Sequence, residues 1–351
     1  MTKTQNLIVS LFVATILLFL LQACGSETEE KKVEFIIDWE PGIDYIGYYV
    51  AKEKGFYDSL GVKVTLRHVN GAPLSARLIG SGEELIGTTT ADQVVLARTR
   101  RDRSGSDQEN LQIKAVATIF SRNPVVVASL SDDPITEIED LVGKRLGVNT
   151  ASVTYKQYRL LAERRGIADS VREVDIGWGG TTELMQDRID ALLAYSMVRP
   201  VSLEHQLEDD STDHRKVKRL FLSSVKDSGG NALLDIPGQV IAVHGPALDY
   251  SDRRELLSKV VKASLKGWQY AKDSPQEALK IFKQRYKDQN MEIARMAIYP
   301  TMNLVSDSIL TNPISKRTWQ NTFRAVDEME GIGSSRKYTP SQFYEKLDTK
   351  K

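Results

Sequence analysis

Past residue 32 the apolar positions of the chain switch repeatedly between a period near two and a period near 3.6. Residues 33–37 (Val-Glu-Phe-Ile-Ile) form a short apolar run suited to a strand covered on both faces. Ile43, Ile46, Val50, Phe56 and Leu60 then recur at mostly helical spacing, with Gly61 just beyond, and predict a helix over 43–60. Val62, Val64 and Leu66 alternate with Lys63, Thr65 and Arg67, the pattern of a half-buried strand. A helix through 74–79, a strand near 85–88, a helix over 92–101 and a strand at 113–119 follow. Pro124 introduces an apolar strand at 125–127, and Thr136 and Glu139 are spaced as a capping box ahead of a short helix. The alternation continues through strands at 144–148, 171–176 and 189–194, with helices at 154–165 and 182–188. A strand at 240–243 is the last one predicted. Beyond 252 the chain reads as helices: Leu256, Leu257, Val260, Val261, Leu265 and Trp268 make one apolar face, and further helices are expected at 278–286, 293–304, 317–329 and 341–347. No internal repeat is evident.

This order predicts an α/β fold with two lobes. Residues 33–123 and 240–351 would form the first lobe and residues 124–239 the second. Open α/β sheets bind ligands beyond the carboxyl ends of their strands, and pockets favour domain interfaces. The residues just after each strand are therefore the candidates. Hinge motion is expected near 121–125 and 235–240. The total of 351 residues suits two domains.

The first twenty-four residues differ from the rest. Lys3 is their only charge, residues 7–21 are largely apolar, and the run ends in Leu21-Gln22-Ala23-Cys24. That is the layout of a signal peptide over residues 1–23, and the last four residues resemble the lipobox of bacterial lipoproteins. Cys24 is the only cysteine, so it has no partner for an internal disulfide or a redox pair. It is expected to carry the lipid, with 24–32 as a flexible tether. Lys+Arg and Asp+Glu are both 47, and this balance gives no global field for nucleic acid. Arg98, Arg100, Arg101 and Arg103 beside the polar stretch 103–110 read as a solvated helix end.

Asp38-Trp39-Glu40-Pro41, followed by residues 47–57 (Gly-Tyr-Tyr-Val-Ala-Lys-Glu-Lys-Gly-Phe-Tyr), resembles the opening of the thiamine-pyrimidine-precursor-binding family of ABC-transporter solute-binding proteins. Ala97-Arg98, residues 140–148 (Asp-Leu-Val-Gly-Lys-Arg-Leu-Gly-Val), Asp190-Ala191 and Pro237-Gly238 extend the resemblance in order along most of the chain. It implies a type II periplasmic-binding-protein fold with parallel or mixed sheets around a ligand cleft, and C-terminal helices. It also implies a small-molecule ligand, pyrimidine-like and flat, an ABC permease and ATPase as partners, and an exported protein held at a bacterial membrane through Cys24. The protein is expected to act as a monomer, without cofactor or metal.

The residues supply matching parts. Trp39, Tyr45 and Tyr48 cluster where the first strand ends, and Trp178 follows another strand; aromatic faces stack on flat rings. Asp38 and Asp92 could accept hydrogen bonds from ring nitrogens, and Thr89 and Thr90 present hydroxyls at a strand end. Asn123 stands at the crossover. As a helical aromatic, Tyr49 reads as core. One position departs from the family. A Tyr-x-x-Asn-Glu-Pro-like stretch is expected near the end of the second sheet, and here it reads Tyr195-Ser196-Met197-Val198-Arg199-Pro200, with Arg199 in place of the acid. A guanidinium cannot accept a hydrogen bond but binds oxyanions by a two-pronged contact, so Tyr195 and Arg199 join the site with an anionic or carbonyl-rich ligand in view.

Other classes are weaker. Pyrimidine synthases of this fold use a cysteine-rich motif, for which Cys24 alone cannot stand. His68, His205, His214 and His244 lack metal-ligand spacing and read as structural or exposed. No Gly-x-Ser-x-Gly elbow is present. A ligand-sensing lipoprotein, or a receptor for a sulfonate, carboxylate or flavin, fits the same pattern.

Overall fold

The computed structural model describes residues 31–99, 111–311, 314–331 and 338–349. The signal segment, Cys24 and the arginine-rich stretch at 100–110 lie outside them. Lys31 and Lys32, expected in the tether, already belong to the first strand.

That strand, β1 (Lys31–Ile37), lies between β2 (Val62–His68) and β3 (Ile86–Thr90) and is parallel to both. β4 (Ile113–Thr118) completes the edge of the sheet. Between β3 and β4 sits β10 (Gln239–His244), antiparallel to both, so the order is β2-β1-β3-β10-β4. The second sheet uses β5 (Val125–Leu130), β6 (Arg145–Val148), β7 (Arg172–Asp175), β8 (Ala191–Tyr195) and β9 (Val217–Phe221) in the order β7-β6-β8-β5-β9. β6 is parallel to both neighbours, and β5 is antiparallel to β8 and β9. The two sheets share one plan: β6, β7 and β8 correspond to β1, β2 and β3, and each sheet takes in one antiparallel strand fed from the other lobe. No repeat is legible in the sequence because strand order constrains the apolar pattern, not residue identity.

Helices α1 (Ile46–Glu53), α2 (Ala72–Ser81) and α3 (Ala91–Thr99) accompany the first sheet, and α4 (Val153–Arg164), α5 (Thr181–Met185) and α6 (Arg199–Asp209) the second. Four more follow: α7 (Ser251–Asp273), α8 (Pro275–Arg285), α9 (Met291–Met302) and α10 (Lys316–Glu330). The helix expected over 43–60 is broken. A 3-10 turn at Ile43–Tyr45 precedes α1, and Gly55 (φ +65°) ends the helical run in the left-handed region. The remainder is a turn and a second 3-10 segment, Asp58–Leu60. The capping box is shifted by one residue. Asp140 accepts from the backbone N–H of Thr136 (2.8 Å) and of Glu137 (3.0 Å), while Glu139 pairs with Arg165. The helix expected at 341–347 is also corrected. Beyond a 3-10 turn at Pro340–Gln342 the chain runs beside β4, with Glu345 N–H donating to the Ala115 carbonyl at 2.8 Å. The edge of β4 offers unpaired backbone groups there.

The first lobe is tied together where α1 crosses α7. A Cβ on Gly267 would lie 2.1 Å from the Gly47 carbonyl oxygen, and one on Gly47 would enter the Trp268 ring at 2.3 Å. Only glycine permits this approach. The lobes are joined by segments that bond to each other: Ile119 N–H donates to the Gln239 carbonyl and Gly238 N–H to the Phe120 carbonyl, both at 2.9 Å. α10 lies against α3 of the first lobe and α4 of the second. Lys156–Glu330 (2.5 Å) and Asn321–Asp235 (2.8 Å) fix it to second-lobe elements. Among the described residues no helix is long and apolar enough to cross a membrane.

Candidate functional site

β1 delivers Asp38 to the carboxyl edge of its sheet, where it is buried. Asp38 N–H donates to Thr88 Oγ1 at 2.9 Å, and the Thr88 hydroxyl donates back to the Asp38 carboxylate. Burial pushes the Asp38 carboxyl above the usual range, and hydrogen bonds from Thr88 and Tyr45 hold it back. Asp44, in the 3-10 turn that follows, has an enclosed carboxyl pushed up to about 7, chiefly by burial, with the Asp38 charge adding to the shift. Asp92 on α3 is buried and shifted upward for the same first reason, with the Gln93 amide donating to it at 3.1 Å. Among the described residues none of the three carboxylates has a Lys or Arg within ion-pair distance.

Tyr195 reaches this group from the second lobe, at the end of β8. Burial raises its phenol, and Asp92, Asp38 and Asp44 raise it further, so its hydroxyl stands in the field of all three acids. Tyr45 is buried beside them and is shifted upward by burial and then by Asp38 and Asp44.

The two candidate tryptophans meet across the lobes. Trp39 is 40% exposed and Trp178 69% exposed, yet their ring centroids are 5.7 Å apart at 45°. Such a tilted pair covers part of each ring and leaves no gap for a third flat ring, which needs a spacing of roughly 7 Å between its two neighbours. Trp178 sits on Gly177-Trp178-Gly179-Gly180, where Gly177 (φ +54°) and Gly180 (φ +119°) carry the turn. Arg199, the first residue of α6, donates from Nε to the Trp178 carbonyl at 3.0 Å, and its guanidinium carbon lies 5.8 Å from the Trp178 ring centre. Burial lowers its pKa, and no carboxylate among the described residues faces it.

Other candidates are already committed within the fold. Tyr48 is a correction: its ring is fully buried between Phe35 (4.9 Å) and Trp268 (5.6 Å), and its hydroxyl donates to Gln239 at 3.0 Å. It has no free face for stacking. Thr89 is also corrected, since it is buried and donates to the Ala72 carbonyl at 3.0 Å. The Asn123 side chain accepts from Val125 N–H (2.9 Å) and donates to Gln157 (3.0 Å), which makes it a brace for the crossover rather than a cleft residue. The Thr90 hydroxyl lies near enough to Asp92 to help hold its pKa down, but closes no well-formed hydrogen bond.

Sequence reasoning passed over two residues. Asp44 lies inside a turn rather than at a strand end, and nothing in its neighbours marks it. His68, read as structural or exposed, ends β2 and is half-buried. Its Nδ1 is 2.5 Å from the Trp39 carbonyl oxygen, and its Nε2 is 3.2 Å from the Tyr286 hydroxyl. The neutral tautomer with hydrogen on Nδ1 donates to Trp39 and accepts from Tyr286, and burial, which lowers the His68 pKa, favours that neutral form. The stacking candidate Trp39 is thus held from behind by a histidine. His205 and His244 serve elsewhere, beside Asp209 (3.0 Å) and the Ile79 carbonyl (3.1 Å).

A family model described as NMT1/THI5 like matches residues 43–278. The chain belongs to the NMT1/THI5-like family. Relatives of this member include the riboflavin-binding protein RibY of Chloroflexus aurantiacus, 26% identical over 71% of the chain. The chain spans 64% of the length of that protein. A formylaminopyrimidine-binding protein of Halalkalibacterium halodurans is 22% identical over 87% of the chain and 86% of its own length. A 4-amino-5-hydroxymethyl-2-methylpyrimidine phosphate synthase of Aspergillus parasiticus is 24% identical over 56% of each. Among solved structures, the periplasmic aliphatic sulphonate-binding protein SsuA of Escherichia coli superposes with a TM-score of 0.65 at 11% identity, covering 89% of this chain and 91% of its own. The family member therefore has the two-lobed periplasmic-binding-protein fold.

Proposed function

We propose that this NMT1/THI5-like protein is the solute-binding component of an ABC importer. Opening of the lobes would part Trp39 from Trp178, and closure would then hold a flat heterocycle against the two indoles for delivery to a permease. One observation carries this reading: two indoles that reach solvent meet across the lobes, beside three enclosed carboxylates without a Lys or Arg partner among the described residues. Exposed aromatics on opposed walls offer contact area to a ring, and buried acids without a cation are suited to receive N–H donors from it. The named ligands of the relatives, a flavin and an aminopyrimidine, are of this kind. Closure would bend the paired segments around 121–125 and 235–240, and Cys24 would anchor the chain at the membrane. A ligand drives closure only by as much as it prefers the closed state.

Calorimetry and thermal shift on the purified full chain in mild detergent, with riboflavin and a formylaminopyrimidine as probes, test the reading. At least one should bind and raise the melting temperature. Trp39→Ala should weaken that ligand roughly 10-fold or more, as loss of a central aromatic anchor does. Unchanged affinity in Trp39→Ala would remove the stacking role. Membrane fractionation of Cys24→Ala tests the anchor, with release into the soluble fraction expected.

A further inference from the structure

A flat ring stacked on these tryptophans, the reading on which this inference rests, would meet walls of opposite character. The first-lobe wall holds Asp38, Asp44 and Asp92 and takes hydrogen-bond donors. The second-lobe wall holds Arg199. The Nε of Arg199 is committed to the Trp178 carbonyl, which aims the guanidinium fork while leaving both terminal nitrogens without a partner among the described residues. A half-buried guanidinium with one acceptor among the described residues for its five N–H donors gains from a ligand that supplies oxygens. Helix stability gives no reason for Arg199 either. It opens α6, where the positive end of the helix dipole disfavours a cation and where no side chain caps the helix. In the same turn the Ser196 hydroxyl is buried and has no hydrogen-bond partner. The fork and the uncapped helix start beside it are both suited to an oxyanion, and the Ser196 hydroxyl three residues earlier has no partner of its own among the described residues.

We infer that Arg199 determines specificity in the cleft, and that the ligand is a bipolar heterocycle with N–H donors on one edge and a carboxylate or phosphate on the other. The Trp178 carbonyl fixes the plane of the fork, so the oxyanion would be gripped beside the stacked ring and not at the cleft mouth.

Matched probe pairs test this on the full chain: flavin mononucleotide against riboflavin, and 4-amino-2-methylpyrimidine-5-carboxylate against its neutral 5-hydroxymethyl counterpart. In at least one pair the anionic member should bind wild type at least 10-fold tighter. Arg199→Gln should reduce that preference to less than about twofold. Arg199→Lys, which keeps the charge but loses the fork, should retain only part of the preference and serves if the glutamine variant does not fold. Equal binding of both members by wild type overturns the inference and leaves the heterocycle reading standing. An equal loss for both members in Arg199→Gln also overturns it, because Arg199 would then only hold the Trp178 loop. Failure of all four probes to bind overturns the heterocycle reading and this inference together.

Discussion

Replacing Asp44 by asparagine should change how stability depends on pH, in a direction the structure fixes. The folded carboxyl titrates at about 7, against 3.8 for the free side chain. Between those values the folded protein holds a proton that the unfolded chain has lost. Folding therefore loses stability as pH rises through this window, and the loss is complete above the folded pKa. The window spans about 3 pH units at 1.36 kcal/mol each, which bounds the loss at roughly 4 kcal/mol. Asparagine mimics the protonated acid in shape and cannot ionise. Asp44→Asn should therefore match wild type near pH 4 and exceed it by about 2–4 kcal/mol near pH 8. Urea denaturation of both proteins across that range measures the difference. Asp38 and Asp92 are shifted in the same direction and remain in both proteins, so the difference between the two curves isolates Asp44 together with its coupling to Asp38. A difference that does not change with pH would mean that the Asp44 carboxyl is solvated and ionised in the folded protein, and would refute the reasoning.

Gly267→Ala should cost about 1–3 kcal/mol in urea denaturation, because the new methyl group meets the Gly47 carbonyl and the Ala51 side chain and must push α1 and α7 apart. Asn123→Ala leaves the buried Val125 N–H and the Gln157 side chain without their partner; a loss of about 1–3 kcal/mol is expected by the same assay. His68→Phe removes the donor to the Trp39 carbonyl, so tryptophan fluorescence anisotropy should fall, and ligand affinity should drop roughly 3- to 10-fold with little change in melting temperature.

The parts of the fold legible in the sequence were those whose burial writes itself as periodicity. β1, β5 and α7 are examples, with apolar residues at nearly every buried position, Ser129 and Ser264 being exceptions. β9 was missed because Val217–Phe221 is an edge strand that carries Lys218 and Arg219, and only Leu220 is buried in it. α6 was missed because it opens with Arg199-Pro200 and carries a polar outer face, leaving few apolar markers. The break at Gly55 was hidden by Phe56 and Leu60, which continue the helical spacing from a different backbone path. In the site, strand-end reasoning located Asp38 and Trp39. It could not show that Tyr48 is closed off between Phe35 and Trp268, because Trp268 lies more than two hundred residues away. Asp44 and His68 act through neighbours distant in sequence, and no local pattern records such contacts.

The position of β10 bears on the order in which the molecule can be built. All five strands of the second sheet lie between Val125 and Phe221, so that sheet can assemble from one continuous stretch of chain. The first sheet cannot. Its strands β3 and β4 touch only through β10, which begins at Gln239, more than a hundred residues after β4 ends. Until that segment arrives, β4 has no neighbour in the sheet and β3 has an open edge. The lobe nearest the N-terminus therefore finishes last, because its sheet cannot be completed before the middle of the chain has been made.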